Sequence, residues 1–147
     1  MELIYRSTRN ANETATASQA ILKGLANEGG LFVPDSIPAL DVSLEDLAKM
    51  NYQQVAYEVM KLMFIDFTEA ELKHCIDSAY DSKFDTPVIA PLVNKAGAYY
   101  LELFHGSTIA FKDMALSILP HLLITSAKKN DVHNEIVILT ATSGDTG

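Results

Sequence analysis

One lysine stands directly after an apolar loop. Lys112 follows Ile109-Ala110-Phe111 and opens a stretch of helical character. Apolar surroundings disfavour the charged ammonium, and a neutral lysine amine is a nucleophile that can form a Schiff base. We therefore expect the Lys112 amine to begin in a desolvated position, which makes it a candidate for covalent chemistry. The alternative is a surface lysine that pairs with Asp113 or extends away from the apolar residues.

A second candidate lies at 142–147, where the chain reads T-S-G-D-T-G. It follows the apolar run 135–141, and open α/β sheets place their ligand loops after buried strands. Small residues let backbone N–H groups approach an anion, and hydroxyls add further donors. The alternative is an ordinary strand-to-helix turn with Ser143 or Asp145 as the helix N-cap.

The remaining chemical groups are weaker candidates. His105 has the right chemistry for an acid–base group, although one histidine at a strand end is more often a structural hydrogen-bonding residue. His74, His121 and His133 lack metal-ligand spacing with each other or with Cys75, so we predict no metal site. Cys75 lies on an apolar helix stripe, which predicts a buried, inert thiol.

Composition narrows the class of protein. Nineteen acidic and eleven basic residues give a net charge of −8, which opposes binding to nucleic acid. The first residues lack the basic-then-apolar build of a signal peptide. The longest mostly apolar run, 114–124, is shorter than the ~20 residues that span a bilayer. With a single cysteine, these features predict a cytoplasmic protein without a membrane or nucleic-acid partner.

The elements before residue 84 read as helices with short strands. A strand is predicted over 3–8, a helix over 19–26 that ends at Gly29-Gly30, and an extended segment over 31–34.

Three further helical signals follow. Ser43 is the expected N-cap of a helix, an apolar face runs from Tyr52 to Met63, and Thr68 opens a helix with capping-box spacing. We therefore predict a mainly helical domain over 1–83.

The pattern changes after residue 83. Apolar segments at 88–93 and 98–104 predict two strands joined by the turn 94–97. A helix is expected over about 112–129, bent or restarted at Pro120. With the buried-type strand 135–141, this order predicts a right-handed βαβ unit with a parallel sheet, the beginning of an α/β domain over 84–147.

Taken together, these stretches resemble one family along the whole chain. The runs L-E-L-F-H-G-S-T-I-A-F-K-D and I-L-T-A-T-S-G-D-T-G are similar to threonine synthases, pyridoxal-phosphate enzymes of fold type II. The earlier segments Y-R-S-T-R and A-I-L-K-G-L-A-N-E-G-G-L-F-V-P resemble the N-terminal region of that family. Ser107 departs from the pattern, because the family usually has proline there.

The resemblance implies a reaction and a site. The reaction is conversion of O-phospho-L-homoserine and water to L-threonine and phosphate, with pyridoxal 5′-phosphate as cofactor and electron sink. Lys112 would hold the cofactor as a Schiff base and then shuttle protons, and Asp145 would lie near the cofactor's phenolic oxygen. The hydroxyls of Thr142, Ser143 and Thr146 would bind the substrate carboxylate.

Two other functions stay open from the sequence. A threonine-synthase-like phospholyase would use Lys112 and the same loop but release phosphate, ammonia and a keto acid. A non-catalytic folding or interaction module is the other alternative. The resemblance also implies that the family chain continues past this loop to a glycine-rich phosphate cup, so we expect a truncated, inactive fragment. The sequence leaves the oligomeric state open.

Overall fold

A computed structural model describes residues 3–144 and 146 of the chain. It contains five short strands and six helices among these residues. In chain order they are β1 (Tyr5–Ser7), β2 (Thr14–Ala15), α1 (Ala17–Lys23), β3 (Phe32–Pro34), α2 (Leu44–Leu47), α3 (Tyr52–Met63), α4 (Glu69–Ala79), β4 (Leu92–Lys95), β5 (Ala98–Leu101), α5 (Asp113–Leu116) and α6 (Leu119–Lys129).

The first three strands form one antiparallel sheet in the order β2-β1-β3, with Tyr5 in the central strand. Its hydroxyl donates a hydrogen bond to the Met63 carbonyl over 2.9 Å, which joins the sheet to the end of α3. The strand predicted within 3–8 and the extended segment 31–34 are thereby confirmed.

Helix α1 begins and ends earlier than the sequence pattern predicts. Thr16 caps it in a complete capping box with Gln19, so the helix starts at Ala17. It ends at Lys23 because Gly24 adopts φ 70°, a left-handed value that glycine takes without steric cost. The assignment of helix termination to Gly29-Gly30 was wrong.

The predicted caps of the next helices are present. The Ser43 hydroxyl accepts from the Asp46 amide, and Thr68 forms a full capping box with Glu71. Helix α3 begins after Asn51, whose capping box the sequence reading missed.

The main core is built on α4. Leu72, Cys75 and Ile76 are at most 1% exposed, and Cys75 is the buried thiol predicted, with its pKa raised by burial. The core also includes residues from later in the chain, namely Phe84, Ile89, Ile118 and Leu122.

Aromatic rings pack at one edge of this core. The ring centroids of Tyr52 and Tyr80 lie 4.8 Å apart in an edge-to-face arrangement, and Phe84 lies 5.9 Å from Tyr80. The Tyr80 hydroxyl donates to the Met114 carbonyl over 2.8 Å, so this cluster connects α4 to α5.

Strands β4 and β5 form the predicted hairpin, with Ala96 and Gly97 at positive φ in its two-residue turn. The first strand begins at Leu92 rather than at residue 88. Ile89 has φ 64° and is 1% exposed, so the chain turns there into the core instead of running extended.

The predicted helix over 112–129 is interrupted, as the proline suggested. Helix α5 ends at Leu116, and α6 begins at Leu119 with Pro120 in its first turn, where the missing N–H costs nothing. Helix α6 packs against α1, and the Asn130 side-chain amide donates to the Ser18 hydroxyl over 2.9 Å.

The prediction of a buried parallel strand was wrong for the described residues. Residues 135–141 are all exposed, and none belongs to a strand. Both sheets are antiparallel, and β4 pairs with β5. No described strand pairs with residues 135–141. Without a neighbour to accept its backbone hydrogen bonds, an apolar segment cannot form a ladder, so the βαβ unit is absent here. Within the described chain, no helix is long and apolar enough to cross a membrane.

Candidate active site

Lys112 lies at the junction of a loop and a helix. It directly precedes α5, and its own backbone is already helical, with φ −58° and ψ −27°. The Lys112 carbonyl accepts hydrogen bonds from the amides of Ala115 and Leu116 over 3.1 and 2.9 Å. The backbone from which the amine extends is therefore held by the first turn of α5.

The loop before Lys112 closes onto the Asp113 side chain. Asp113 is 6% exposed, and its carboxylate accepts two hydrogen bonds from Thr108, one from the amide and one from the hydroxyl, each over 2.8 Å. A Cβ placed on Gly106 would lie 2.5 Å from the Asp113 Cβ, so only glycine fits there. The alternative that Lys112 pairs with Asp113 is not observed, since among the described residues the carboxylate is bonded to Thr108 and not to the lysine amine.

The Lys112 amine itself forms no hydrogen bond or ion pair with any described residue. The side chain is partly buried, whereas Ile109 and Phe111 are 76% and 71% exposed. The loop was expected to desolvate the amine, but its largest apolar side chains face solvent. The reason is the turn at Ile109, which has φ 58° and donates its amide hydrogen bond to the Gly106 carbonyl.

The second predicted site is open. Thr142, Ser143, Gly144 and Thr146 are exposed, and the Thr142 hydroxyl accepts from the Gly144 amide over 3.1 Å. Asp145, the predicted cofactor contact, lies outside the described residues. Neither Ser143 nor Thr146 is hydrogen-bonded to Lys112 within the described part of the chain. The structure thus shows no hydrogen bond, among the described residues, that joins these two predicted groups to the lysine.

His105 is held by two carboxylates that the sequence analysis did not identify. Its Nδ1 lies 2.5 Å from Asp85 Oδ1, and its Nε2 lies 2.9 Å from Glu102 Oε2. These partners, Glu102 foremost, raise the pKa of His105. Both ring nitrogens are engaged, so His105 is a structural link between the hairpin and the segment before it. The signal was the acidic residue in L-E-L-F-H, three positions before the histidine.

Other candidate sites do not compete with this loop. No group of three or more metal-ligating side chains occurs among residues 3–144 and 146. A cleft between α3 and α4 is lined by Tyr57, Lys73 and Asp77, among others, and contains none of the predicted site residues.

Comparison with known proteins identifies the relatives of this chain. The family model described as "Threonine synthase N terminus" matches residues 4–80. The threonine synthase of Saccharomyces cerevisiae is 36% identical over 98% of this chain and 31% of its own length. The threonine synthase of Schizosaccharomyces pombe is 39% identical over 99% of this chain and 30% of its own length.

A solved structure supports the same relationship. The crystal structure of PLP-bound threonine synthase from Brucella melitensis superposes with a TM-score of 0.77 at 30% identity, covering 88% of this chain and 28% of that protein. The chain therefore spans less than a third of the length of each of these relatives.

Proposed function

The chain belongs to the threonine synthase family, and on that premise we propose that it contributes to an enzyme that converts O-phospho-L-homoserine and water to L-threonine and phosphate. The observation that carries the proposal is similarity along nearly the whole chain, 98% of it for the Saccharomyces cerevisiae enzyme, which therefore extends past the family model's limit at residue 80.

We propose pyridoxal 5′-phosphate as the cofactor. The residues present fit this group, because the Lys112 amine is free of hydrogen bonds and ion pairs to the described residues and follows Ile109 and Phe111, whose apolar side chains are exposed. An amine suits the cofactor's aldehyde, and apolar side chains suit the faces of its ring. When bound, the cofactor supplies an electron sink for bond cleavage next to the substrate amino group.

The side chains of this chain take specific roles in the proposal. The Lys112 amine attaches the cofactor, and after substrate binds it takes and returns protons at the substrate Cα and Cβ. The exposed hydroxyls of Thr142, Ser143 and Thr146 bind the substrate carboxylate, and Asp145 contacts the cofactor. This assignment requires these hydroxyls to reach a substrate that is also within reach of Lys112, whereas neither Ser143 nor Thr146 is hydrogen-bonded to Lys112 in the part of the chain that the structure describes.

The division of the chain into domains is also part of the proposal. We assign residues 1–83 to an N-terminal domain and 84–147 to the beginning of a fold type II catalytic domain, a division that the end of the family match at residue 80 supports. The two parts share packing, since Leu122 and Ile118 lie in the core around α4. We further propose a cytoplasmic location and a small-molecule substrate.

The test uses the purified gene product that carries this chain. Given O-phospho-L-homoserine and pyridoxal 5′-phosphate, it should release threonine and phosphate in equal amounts, and the Lys112→Ala variant should release neither. Phosphate accompanied by ammonia and a keto acid would instead indicate a phospholyase. A protein that folds but releases no phosphate would favour a non-catalytic module.

A further inference from the structure

We propose that Asp113 is a positioning residue for Lys112, which it serves by holding the loop 106–112 in one conformation through Thr108. The inference rests on the proposed function of Lys112. It assigns to the neighbouring carboxylate a task that neither the family match nor the sequence pattern specifies.

The first argument is the environment of the carboxylate. Asp113 is 6% exposed, and a buried carboxylate is stable only when its oxygens are satisfied. Both partners come from one residue, since the Thr108 amide donates to Oδ2 and its hydroxyl donates to Oδ1. Two hydrogen bonds between the same two residues fix both the distance and the orientation of the loop relative to α5.

The second argument is the backbone between these residues. Ile109 has φ 58°, a conformation that is unfavourable for a β-branched residue and persists only where its surroundings impose it. The Ile109 side chain is 76% exposed, so packing of that side chain does not impose it. The residue before it, Thr108, and the acceptor of its amide, Gly106, both contact Asp113. The carboxylate is therefore the group that maintains the turn.

The third argument concerns the amine. Lys112 lies between the Ile109 turn and Asp113, and no described residue is hydrogen-bonded to its Nζ. The position of the Lys112 Cα and the direction in which its side chain leaves the backbone depend on the residues on both sides, which the Thr108–Asp113 pair holds. A reacting group displaced by about 1 Å can lose about 100-fold in rate. The Thr108–Asp113 pair therefore affects the reaction rate through the position of Lys112, without contacting the substrate.

The experiment compares Thr108→Val with Thr108→Ser in the purified protein. Thr108 is exposed, so both variants should fold, and only serine keeps the hydroxyl donor. Amide exchange at residue 108 should accelerate about 10-fold in Thr108→Val, because a hydrogen bond to a charged acceptor has been lost from the pair. Thr108→Ser should exchange as the wild type does. Asp113→Asn should resemble Thr108→Val, whereas the exposed control Asp131→Asn should change nothing.

A second readout separates positioning from general stability. With pyridoxal 5′-phosphate as the probe, followed by borohydride, the share of label on Lys112 relative to Lys95 should fall about 10-fold in Thr108→Val and recover in Thr108→Ser. Far-UV circular dichroism should be the same for all variants. An unchanged label share in both Thr108→Val and Asp113→Asn would overturn the positioning role and leave the proposed reaction intact. Normal loop exchange and labelling in a protein that makes no threonine would instead remove the proposed function.

Discussion

Replacing Leu122 by alanine should destabilise α4 and α6 together, although they lie on opposite sides of the proposed domain boundary at residue 83. Leu122 lies on α6, is 5% exposed, and belongs to the same core as Leu72 and Ile76 of α4. Truncating a buried leucine to alanine costs about 2–5 kcal/mol through lost burial and the cavity left behind. Because little of the side chain is exposed, we expect about 3 kcal/mol, a large part of the about 5–15 kcal/mol that stabilises a typical domain.

The measurement is urea unfolding followed by circular dichroism, combined with amide exchange. The free energy of unfolding should fall by the stated amount, and exchange should accelerate in α4 as well as in α6. Ile124→Ala is the matched control on the same helix, since Ile124 is 56% exposed, and it should change stability by less than about 0.5 kcal/mol. If Leu122→Ala accelerates exchange in α6 alone and leaves the unfolding of α4 unchanged, the shared core described above does not exist.

Four further outcomes are expected. In the proposed enzyme, Lys112→Ala should lower turnover by about 100- to 10,000-fold or more. The same change should abolish the pyridoxal label that borohydride fixes on the peptide containing residue 112. Lys112→Arg should do no better, and Lys95→Ala should keep the label. The raised pKa of His105 stabilises the fold below its unfolded value of about 6.5, and this contribution is lost as pH rises through the folded value. Thermal stability should thus decline as the pH rises above about 6.5, and His105→Gln should remove that dependence. An identical decline in the variant would show that His105 does not cause it. Amide exchange should be fast throughout 135–141 and slow in α4, and the reverse order would mean that the stable region is misassigned. Thr68→Ala should cost about 1 kcal/mol in chemical unfolding through loss of the α4 cap, and an unchanged midpoint would show that the capping box contributes nothing.

Sequence reasoning succeeded where a few neighbouring residues determine the structure. The Thr68 and Ser43 caps and the restart at Pro120 depend on side chains within one helical turn, and all three are present. It failed at 135–141, because a strand exists only with a hydrogen-bonding neighbour and an apolar run does not indicate whether one is available. It also extended α1 too far, since the pattern did not show that Gly24 would take the left-handed conformation.

The candidate site was predictable in its residue types but not in its environment. The apolar loop singled out Lys112, yet the burial inferred for the amine depended on Ile109 and Phe111 facing inward, and both are exposed. The role of Asp113 depends on the positive φ of Ile109, which no propensity for isoleucine would suggest.

The aromatic cluster of Tyr52, Tyr80 and Phe84 also determines how this protein can be observed. The chain contains no tryptophan, so its near-ultraviolet circular dichroism comes from tyrosine and phenylalanine rings. A ring contributes strongly to that signal only while rigid packing holds it in an asymmetric environment, and a molten globule loses the signal while keeping its helices. Because this cluster connects α4 to α5 through the Tyr80 hydroxyl, the near-ultraviolet spectrum reports the tertiary packing that supports the helix after Lys112.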